Sequence, residues 1–350
     1  MELLVDSHEL REWVFLLDKL VGTIEPSARF IDFFFRDGLW LRASDNCASM
    51  EIFLGKIPRF EGSRTVSLDL LKFFLSDVKV KEVYITISQD HLVLKAGNEV
   101  LDVKCKVGEI PPENGKEEFL CTLSKREFER SINFASSNLD EGEFLIFLFE
   151  EKSVLMFGPS SDIVTLSQVS AVPTTSFSLK IPYVTVRHIF KALQRLNVQT
   201  LDFYEKSGKL VVKYPYLIME VCGDRVDMVE KEALKNILVE ETIERLESRK
   251  EILAKLVRKA AVISKGSYAT LSRKNDIMKI VVKKKNLSYT AELFVEPGRD
   301  FLVVFPSKKL RSTLARMESE KIVLEITERF LKISNPSGTR TVFLELEKLS

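Results

Sequence analysis

Basic side chains recur at helical spacing in four segments of the sequence. Arg187, Lys191 and Arg195 stand at i, i+4 and i+8, so a helix here would carry them on one face, opposite its apolar side chains. The other groups are Lys255, Arg258 and Lys259; Lys308, Arg311 and Arg316; and Arg126 with Arg130. A single face of this kind is ordinarily just solvated. Four of them favour contact with duplex DNA, because spaced cations bind phosphates without reading bases.

Residues that could carry catalysis or hold a metal ion are few. The sequence has three histidines, His8, His91 and His188, and none stands near a cysteine or in a metal-ligand spacing. His188 lies on an expected helix and is interpreted as a surface residue. No glycine-rich nucleotide loop or serine-nucleophile motif occurs. The sequence therefore favours a protein that is not an enzyme and that uses no cofactor and no metal.

The composition is that of a globular protein, with 45% hydrophobic and 29% charged residues, and 350 residues suit two or three domains. The net charge is +1, so only the distribution of charge bears on nucleic acid. The longest apolar runs are strand-sized, and the N-terminus has no signal-peptide pattern, so we expect neither a membrane span nor secretion. Cys47, Cys105, Cys121 and Cys222 are widely spaced and are expected to be reduced thiols in the cytoplasm.

A repeat of about 120 residues organises the chain. Three short apolar stretches each end in Asp or Ser, followed three residues later by Glu. These pairs are Asp6 with Glu9, Ser124 with Glu127, and Ser248 with Glu251. The spacing is that of a capping box, in which the first side chain accepts a hydrogen bond from a free backbone N–H of a new helix. Three boxes at this interval predict three similar units, each opened by a strand and a helix.

Each unit then continues with a further strand, a second helix and three more strands. The second helices are expected over 69–78, 183–196 and 307–317. Turn residues such as Asn335-Pro336-Ser337-Gly338 separate the paired strands. The predicted fold class is α+β, with three tandem domains. Each domain has two βαβββ halves that place antiparallel sheets outside and two helices inside.

The domain boundaries are expected where the repeat is interrupted. Residues 1–108, 117–223 and 245–350 would be the three domains. Pro111, Pro112 and Gly115 mark the first linker. Residues 224–244 are charged and helix-prone, and are interpreted as a helical connector.

Three such units, six helices and the absence of an enzyme motif resemble the bacterial DNA polymerase sliding clamp, the beta subunit of the replicative polymerase. The resemblance covers nearly the whole chain and is most specific in the third unit. It rests there on residues 247–251, 260–266 and 301–307. It implies a head-to-tail homodimer ring whose helices surround duplex DNA and whose sheets lie outside. It also implies tethering of DNA polymerase or repair proteins without catalysis.

The resemblance implies a partner cleft between the second and third domains, where this sequence departs from the family. The family motif Thr-Asp-Gly-His-Arg-Leu corresponds to residues 158–163, of which only the apolar Ile163 is kept. The remaining positions that could supply apolar walls are Val226, Leu346 and Leu349. These departures indicate a divergent paralogue. The dimer contact is expected between strand 99–107 and the region of Val262 and Ile263.

One alternative stays open at this point. A clamp-fold protein that no longer closes on DNA would act as a regulatory or structural module that binds proteins. Ring closure distinguishes it from a clamp. The two helices of the first repeat are near neutral, because Arg11 and Lys19 are accompanied by Glu12 and Asp18, and Lys72 by Asp69 and Asp77. If the chain does bind DNA, we therefore expect an uneven lining in which the second and third domains dominate the contact.

Overall fold

The computed structural model describes residues 2–21, 29–45, 47–110 and 115–348. Within these ranges the chain forms seven helices and 25 strands. Six of the helices and 24 of the strands make up six βαβββ halves, and a connector helix and one short strand lie outside them. The predicted α+β class with three tandem pairs of halves is confirmed. The expected linker residues Pro111 and Pro112 lie outside the described residues.

Each repeat contains two halves, and the bounds of their elements are as follows. The first repeat has β1 (Glu2–Asp6), α1 (Ser7–Leu17), β2 (Phe30–Phe35), β3 (Leu39–Asp45), β4 (Ala48–Gly55), β5 (Ser63–Ser67), α2 (Leu68–Asp77), β6 (Glu82–Ile87), β7 (His91–Ala96) and β8 (Glu99–Lys104), followed by β9 (Lys106–Gly108). The second has β10 (Glu117–Ser124), α3 (Lys125–Ala135), β11 (Phe144–Glu150), β12 (Ser153–Pro159), β13 (Val164–Ser170), β14 (Phe177–Pro182), α4 (Tyr183–Arg195), β15 (Thr200–Lys206), β16 (Lys209–Tyr214) and β17 (Leu217–Val221). After the connector helix α5 (Met228–Val239), the third has β18 (Glu244–Arg249), α6 (Lys250–Ile263), β19 (Tyr268–Lys274), β20 (Ile277–Lys284), β21 (Leu287–Phe294), β22 (Phe301–Pro306), α7 (Ser307–Arg316), β23 (Lys321–Ile326), β24 (Phe330–Ser334) and β25 (Arg340–Glu345).

The two halves of a repeat exchange their first strands. β1 pairs with β6 and β5 pairs with β2 in the first repeat. The same exchange occurs in the second repeat, where β10 pairs with β15 and β14 pairs with β11. In the third repeat, β18 pairs with β23 and β22 pairs with β19. The second half of a repeat therefore completes the sheet of the first half, and the first half completes that of the second.

The sheets also continue from one repeat into the next. β4 pairs with β17, so a nine-stranded sheet runs β10-β15-β16-β17-β4-β3-β2-β5-β9. β13 pairs with β25, so an eight-stranded sheet runs β14-β11-β12-β13-β25-β24-β23-β18. Two four-stranded sheets remain, β1-β6-β7-β8 and β21-β20-β19-β22. Each shared sheet thus joins halves of two different repeats.

Packing divides the chain into two compact units that follow the shared sheets. The first comprises residues 1–125 and 187–223, and the second comprises 126–186 and 224–350. Each unit therefore contains one whole terminal repeat and one part of the middle repeat. The division into domains at 1–108, 117–223 and 245–350 remains a prediction.

The three predicted capping boxes agree with the observed helix starts to different extents. The Asp6 carboxylate accepts hydrogen bonds from the backbone N–H groups of His8 and Glu9 at 2.9 and 3.0 Å, so the first box is confirmed. α3 begins directly after Ser124. The Ser248 prediction is wrong, because the β18–β23 ladder runs on to Arg249, which becomes the residue before α6 and makes no side-chain cap.

The expectation that all four cysteines are reduced is wrong for two of them. Cys47 and Cys222 form a disulfide beside the last pair of the β4–β17 ladder, Val221 opposite Ala48. The N–H of Cys222 also donates to the carbonyl oxygen of Cys47 at 2.9 Å. The bond therefore joins the first and second repeats where they share a sheet. Sequence spacing gave no sign of it, since 175 positions separate the two residues.

Candidate nucleic-acid interface and partner cleft

α6 and α7 lie side by side in the second unit and bury their apolar faces in the core of the third repeat. Leu253 and Val257 of α6 and Leu310 of α7 are fully enclosed. The opposite faces expose the predicted cations Lys255, Arg258, Lys259, Lys308, Arg311 and Arg316. Helical periodicity therefore separates the two kinds of side chain in these helices as the sequence predicts.

A basic cleft of about 600 Å³ lies between α6 and α7. Its charged lining is Lys265, Lys308, Arg311 and Arg316, and small residues such as Ala261 and Gly266 keep it open. Across the described residues, no carboxylate lies within ion-pair distance of Lys265, Lys308 or Arg311. Uncompensated cations around a concave surface bind phosphate oxygens, so this cleft is the strongest candidate for contact with a nucleic-acid backbone.

Lys265 was missed by the sequence analysis. It follows the last turn of α6 with a positive φ of 54°, and Gly266 follows with a φ of 80°. The N–H of Gly266 donates to the carbonyl oxygen of Ala261 at 2.9 Å, which closes the helix end. The chain turns there and directs Lys265 toward α7. The Ser-Lys-Gly sequence after an amphipathic helix is the signal that would have identified it.

The remaining cations of the second unit are partly engaged. Arg130 of α3 pairs with Glu318 at 3.2 Å, and Arg316 donates to the amide oxygen of Asn133 at 2.9 Å. These contacts hold α3 against α7. Arg126 of α3 is exposed. α3 therefore extends the basic layer of α6 and α7, but with less free charge.

The first unit exposes the predicted stripe Arg187, Lys191 and Arg195 of α4. Arg195 lies 4.0 Å from Glu12 of α1. His188, expected at the surface, is instead buried, and its Nδ1 lies 2.8 Å from the carbonyl oxygen of Lys19. Its helical neighbours Thr185 and Ala192, three and four positions away, are buried as well, which is the signal that places it inward. His188 ties α4 to α1.

The cations in and beside α1 and α2 are engaged within the first unit. Arg11 of α1 donates to the carbonyl oxygen of Val78 at 2.5 Å. Asp18 binds Arg29 at 2.8 Å, Lys72 at 3.0 Å and Lys19 at 3.5 Å. Burial acts to raise the pKa of Asp18, but hydrogen bonds from Lys72 and Arg29 outweigh it and hold the pKa below its ordinary value. The outward face of α2 carries Phe73, which is 76% exposed, rather than a cation. This part of the first unit offers phosphates little free positive charge.

Three of the four residues expected to wall a partner cleft are described by the structure, and these three do not form one open groove. Ile163 is buried in the large core of the third repeat, where the amide of Asn138 donates to its carbonyl oxygen at 2.9 Å. Val226 is buried in a separate cluster on the eight-stranded sheet. Leu346 forms a β-bridge with Val303 and packs on the same core as Ile163. Leu349 lies outside the described residues.

The loop 158–163 that should border such a cleft is fixed to the third repeat. Lys309 donates to the hydroxyl of Ser160 at 2.6 Å and pairs with Asp140 at 2.9 Å, and the Tyr268 hydroxyl donates to Asp162 at 2.8 Å. Burial acts to lower the pKa of Lys309, but Asp140 and Glu143 outweigh it and raise the pKa above its ordinary value. Lys309 is therefore a structural cation and is not available to phosphate.

Other chemistry finds little support in the described residues. Burial raises the pKa of the Cys121 thiol to about 12 and also raises that of Cys105, so neither is a ready nucleophile at neutral pH. Among the described residues, no group of three or more His, Cys, Asp and Glu side chains is arranged to hold a metal ion. No helix in the same ranges is long and apolar enough to cross a bilayer.

No family model and no curated protein sequence matches the chain. Solved structures do. The DNA polymerase III subunit beta from Pseudomonas aeruginosa superposes with a TM-score of 0.83 at 12% identity, covering 100% of both chains. The beta subunit from Thermotoga maritima gives 0.79 at 14% identity, and the Helicobacter pylori beta clamp bound to a DNA ligase peptide gives 0.76 at 14%, both with the same coverage. Identity this low establishes the fold alone, and the chain therefore has the fold of the bacterial DNA polymerase III beta clamp over its full length.

Proposed function

We propose that two copies of the chain close head to tail into a ring that encircles duplex DNA without reading its sequence. The ring would act in the cytoplasm as a non-catalytic processivity factor that tethers DNA polymerase or repair proteins. The fold supports this, since each of the structures compared is a DNA polymerase III beta subunit or sliding clamp. The observation that carries the proposal is the pattern of paired and unpaired sheet edges.

The internal junctions follow one rule. The last strand of a first half pairs with the last strand of the second half of the next repeat, as in β4 with β17 and β13 with β25. Two last strands remain at sheet edges, β21 from a first half and β8 from a second half. One comes from a first half and the other from a second half, which is the kind of pair that forms both internal junctions. Free strand edges tend to pair with another chain. A junction of the same kind between β21 of one copy and β8 of another, formed twice, would therefore close two copies into a ring.

The side chains of the two edges are compatible with this junction. Leu101 and Val103 of β8 are partly buried, and their neighbours in the strand are exposed. Tyr289, Ala291 and Leu293 alternate in the same way in β21. Residues opposite each other in an antiparallel ladder point to one face, so the inward residues of β8 align with those of β21. The junction would thus extend both apolar faces.

The dimer contact predicted around Val262 and Ile263 remains a proposal, in which these two residues lie beside the junction and do not form its strand pairing. Both residues lie at the C-terminal end of α6. Val262 is 65% exposed, whereas Ile263 packs on the core of the third repeat. Val262 would flank the new junction, and the edges of β8 and β21 would supply its hydrogen bonds.

DNA contact would come mainly from the cleft between α6 and α7, with further contacts from the exposed cations of α3 and α4. Such contacts displace counterions from phosphates and recognise no base. We expect weak affinity for duplexes of unrelated sequence, with a log–log dependence on salt of about −0.9 for each phosphate contacted. Fluorescence anisotropy with two duplexes of equal length, measured over a salt series, tests this. Affinity that ignores salt, or that differs strongly between the two sequences, would overturn the proposal.

A second candidate function is a clamp-fold module that does not close on DNA and binds proteins instead. The ion pairs around Asp18 favour it, because they compensate the charges of Lys72 on α2 and of Lys19 beside α1, and so does the exposed Phe73 on α2. The two functions differ in assembly. A module of this kind would remain a single chain of 40.1 kDa in solution.

A further inference from the structure

The connector helix α5 covers an apolar face of the eight-stranded sheet. Leu234 is buried there, and Ile237 and Leu238 pack beside it, which gives apolar side chains at i, i+3 and i+4. The side chains beneath and around them are Ile146, Leu148, Leu155, Phe157, Val164, Leu166, Val226, Phe330 and Phe343. Phe343 alternates along β25 with Val342 and Leu344, which belong to the core below α6 and α7. α5 therefore lies on the opposite face of that sheet.

Polar contacts hold α5 along its length. Lys231 and Lys235, one turn apart, both pair with Glu150 at the end of β11, at 2.9 and 3.1 Å. Glu230 in the first turn pairs with Lys180 at 3.2 Å. Beyond the last turn, the Thr327 hydroxyl donates to Glu240 at 2.6 Å. Both ends and the middle of the helix thus make polar contacts with the sheet and its connecting turns.

These contacts hold α5 only lightly. Of its 12 residues, only Leu234 is fully buried. Met228, Val229 and Val239 are 77%, 77% and 78% exposed. A helix this short is marginal by itself, and partly exposed ion pairs contribute little, so α5 should open far more readily than the strands beneath it.

We propose that α5 is a latch over a docking face, and that a partner's amphipathic helix displaces it. The chemistry of the partner follows from what α5 itself presents. It needs aliphatic side chains at i, i+3 and i+4, and basic side chains that reach Glu150. The inference rests on the proposed function, since it names the face by which the clamp would tether its partners and explains why Val226 is covered.

Hydrogen exchange on the full chain tests whether the latch opens. Amides of residues 228–239 should exchange much faster than those of β11, β12 and β13. Glu150→Gln removes the carboxylate shared by Lys231 and Lys235, and should speed exchange in α5 by roughly threefold. Glu151→Gln, at the exposed neighbouring position, should leave it unchanged. Protection of α5 equal to that of the strands would overturn the proposal.

A synthetic peptide of residues 226–240 tests whether the face accepts a helix in trans. Labelled peptide should bind the Glu150→Gln chain weakly. It should bind more tightly to the Leu234→Asp chain, whose own helix no longer packs but whose Glu150 is intact. A peptide with aspartate at positions 234, 237 and 238 should not bind. Equal binding of the two peptides, or no binding to either variant, would contradict the latch.

The latch and the ring are separate proposals, and each can be refuted without the other. Mass and DNA affinity of the same variants should match those of the native chain, because the cover of the docking face does not involve β8, β21 or the basic cleft. A chain that remains a single copy yet shows fast exchange in α5 would refute the ring and keep the latch.

Discussion

Replacing Lys265, Lys308 and Arg311 together with glutamate is expected to lower the affinity for duplex DNA by roughly a hundredfold. The three side chains line the cleft between α6 and α7 and have no carboxylate partner in the described part of the chain. Each lost phosphate contact should also reduce the salt slope by about 0.9, so the variant should bind with a clearly shallower slope. Anisotropy titration over a salt series measures both quantities.

A matched variant controls for the change in net charge. Lys152, Lys274 and Lys321 are exposed lysines of the same unit that lie on strands or turns rather than on the basic helices. Their replacement by glutamate alters the charge of the chain by the same amount. We expect a much smaller loss of affinity and an unchanged slope. Equal losses in the two variants would show that the helices form only a solvated surface, and the protein-binding module would then be favoured.

Charging the β8 edge is expected to abolish the dimer. Leu101→Lys with Val103→Lys places two cations on the inward side of the proposed β8–β21 junction, where burying unpaired charge costs several kcal/mol. The native chain should sediment at twice its monomer mass of 40.1 kDa at micromolar concentration, and the variant as a single chain. The folded monomer should keep its own basic cleft and bind DNA more weakly.

The control for this variant is Tyr84→Lys. Tyr84 is exposed on β6, an interior strand of the same four-stranded sheet, so the added charge does not meet the junction. It should leave the dimer intact. A β8 variant that still dimerises would show that the copies join through some other surface.

Much of the fold follows from the sequence because local patterns determine it. Periodicity locates α4 and α7 to within a residue, and the Asp6 box marks the start of α1. The apolar and basic faces of α6 follow in the same way, since a helix fixes which positions share a face. These predictions need no knowledge of distant parts of the chain.

The remaining features depend on contacts between distant segments, which local patterns do not encode. The exchange of first strands, the continuation of β4 into β17 and the disulfide between Cys47 and Cys222 are of this kind. A pattern shows that a face is apolar but not what covers it. The connector 224–244 was therefore predicted to be helical while its docking on the sheet was not, and Ile163 was expected in a cleft when it lies in a core.

The most direct test of the ring is whether it stays on DNA that has no ends. Chains would be assembled in the presence of nicked circular plasmid, closed with a lysine cross-linker, and washed in roughly 1 M salt, where screening over about 3 Å removes phosphate attraction. Cross-linked dimer should then remain with the circular plasmid and leave once a restriction enzyme linearises it. Equal loss from circular and linear plasmid, with the dimer confirmed by its mass, would contradict encirclement.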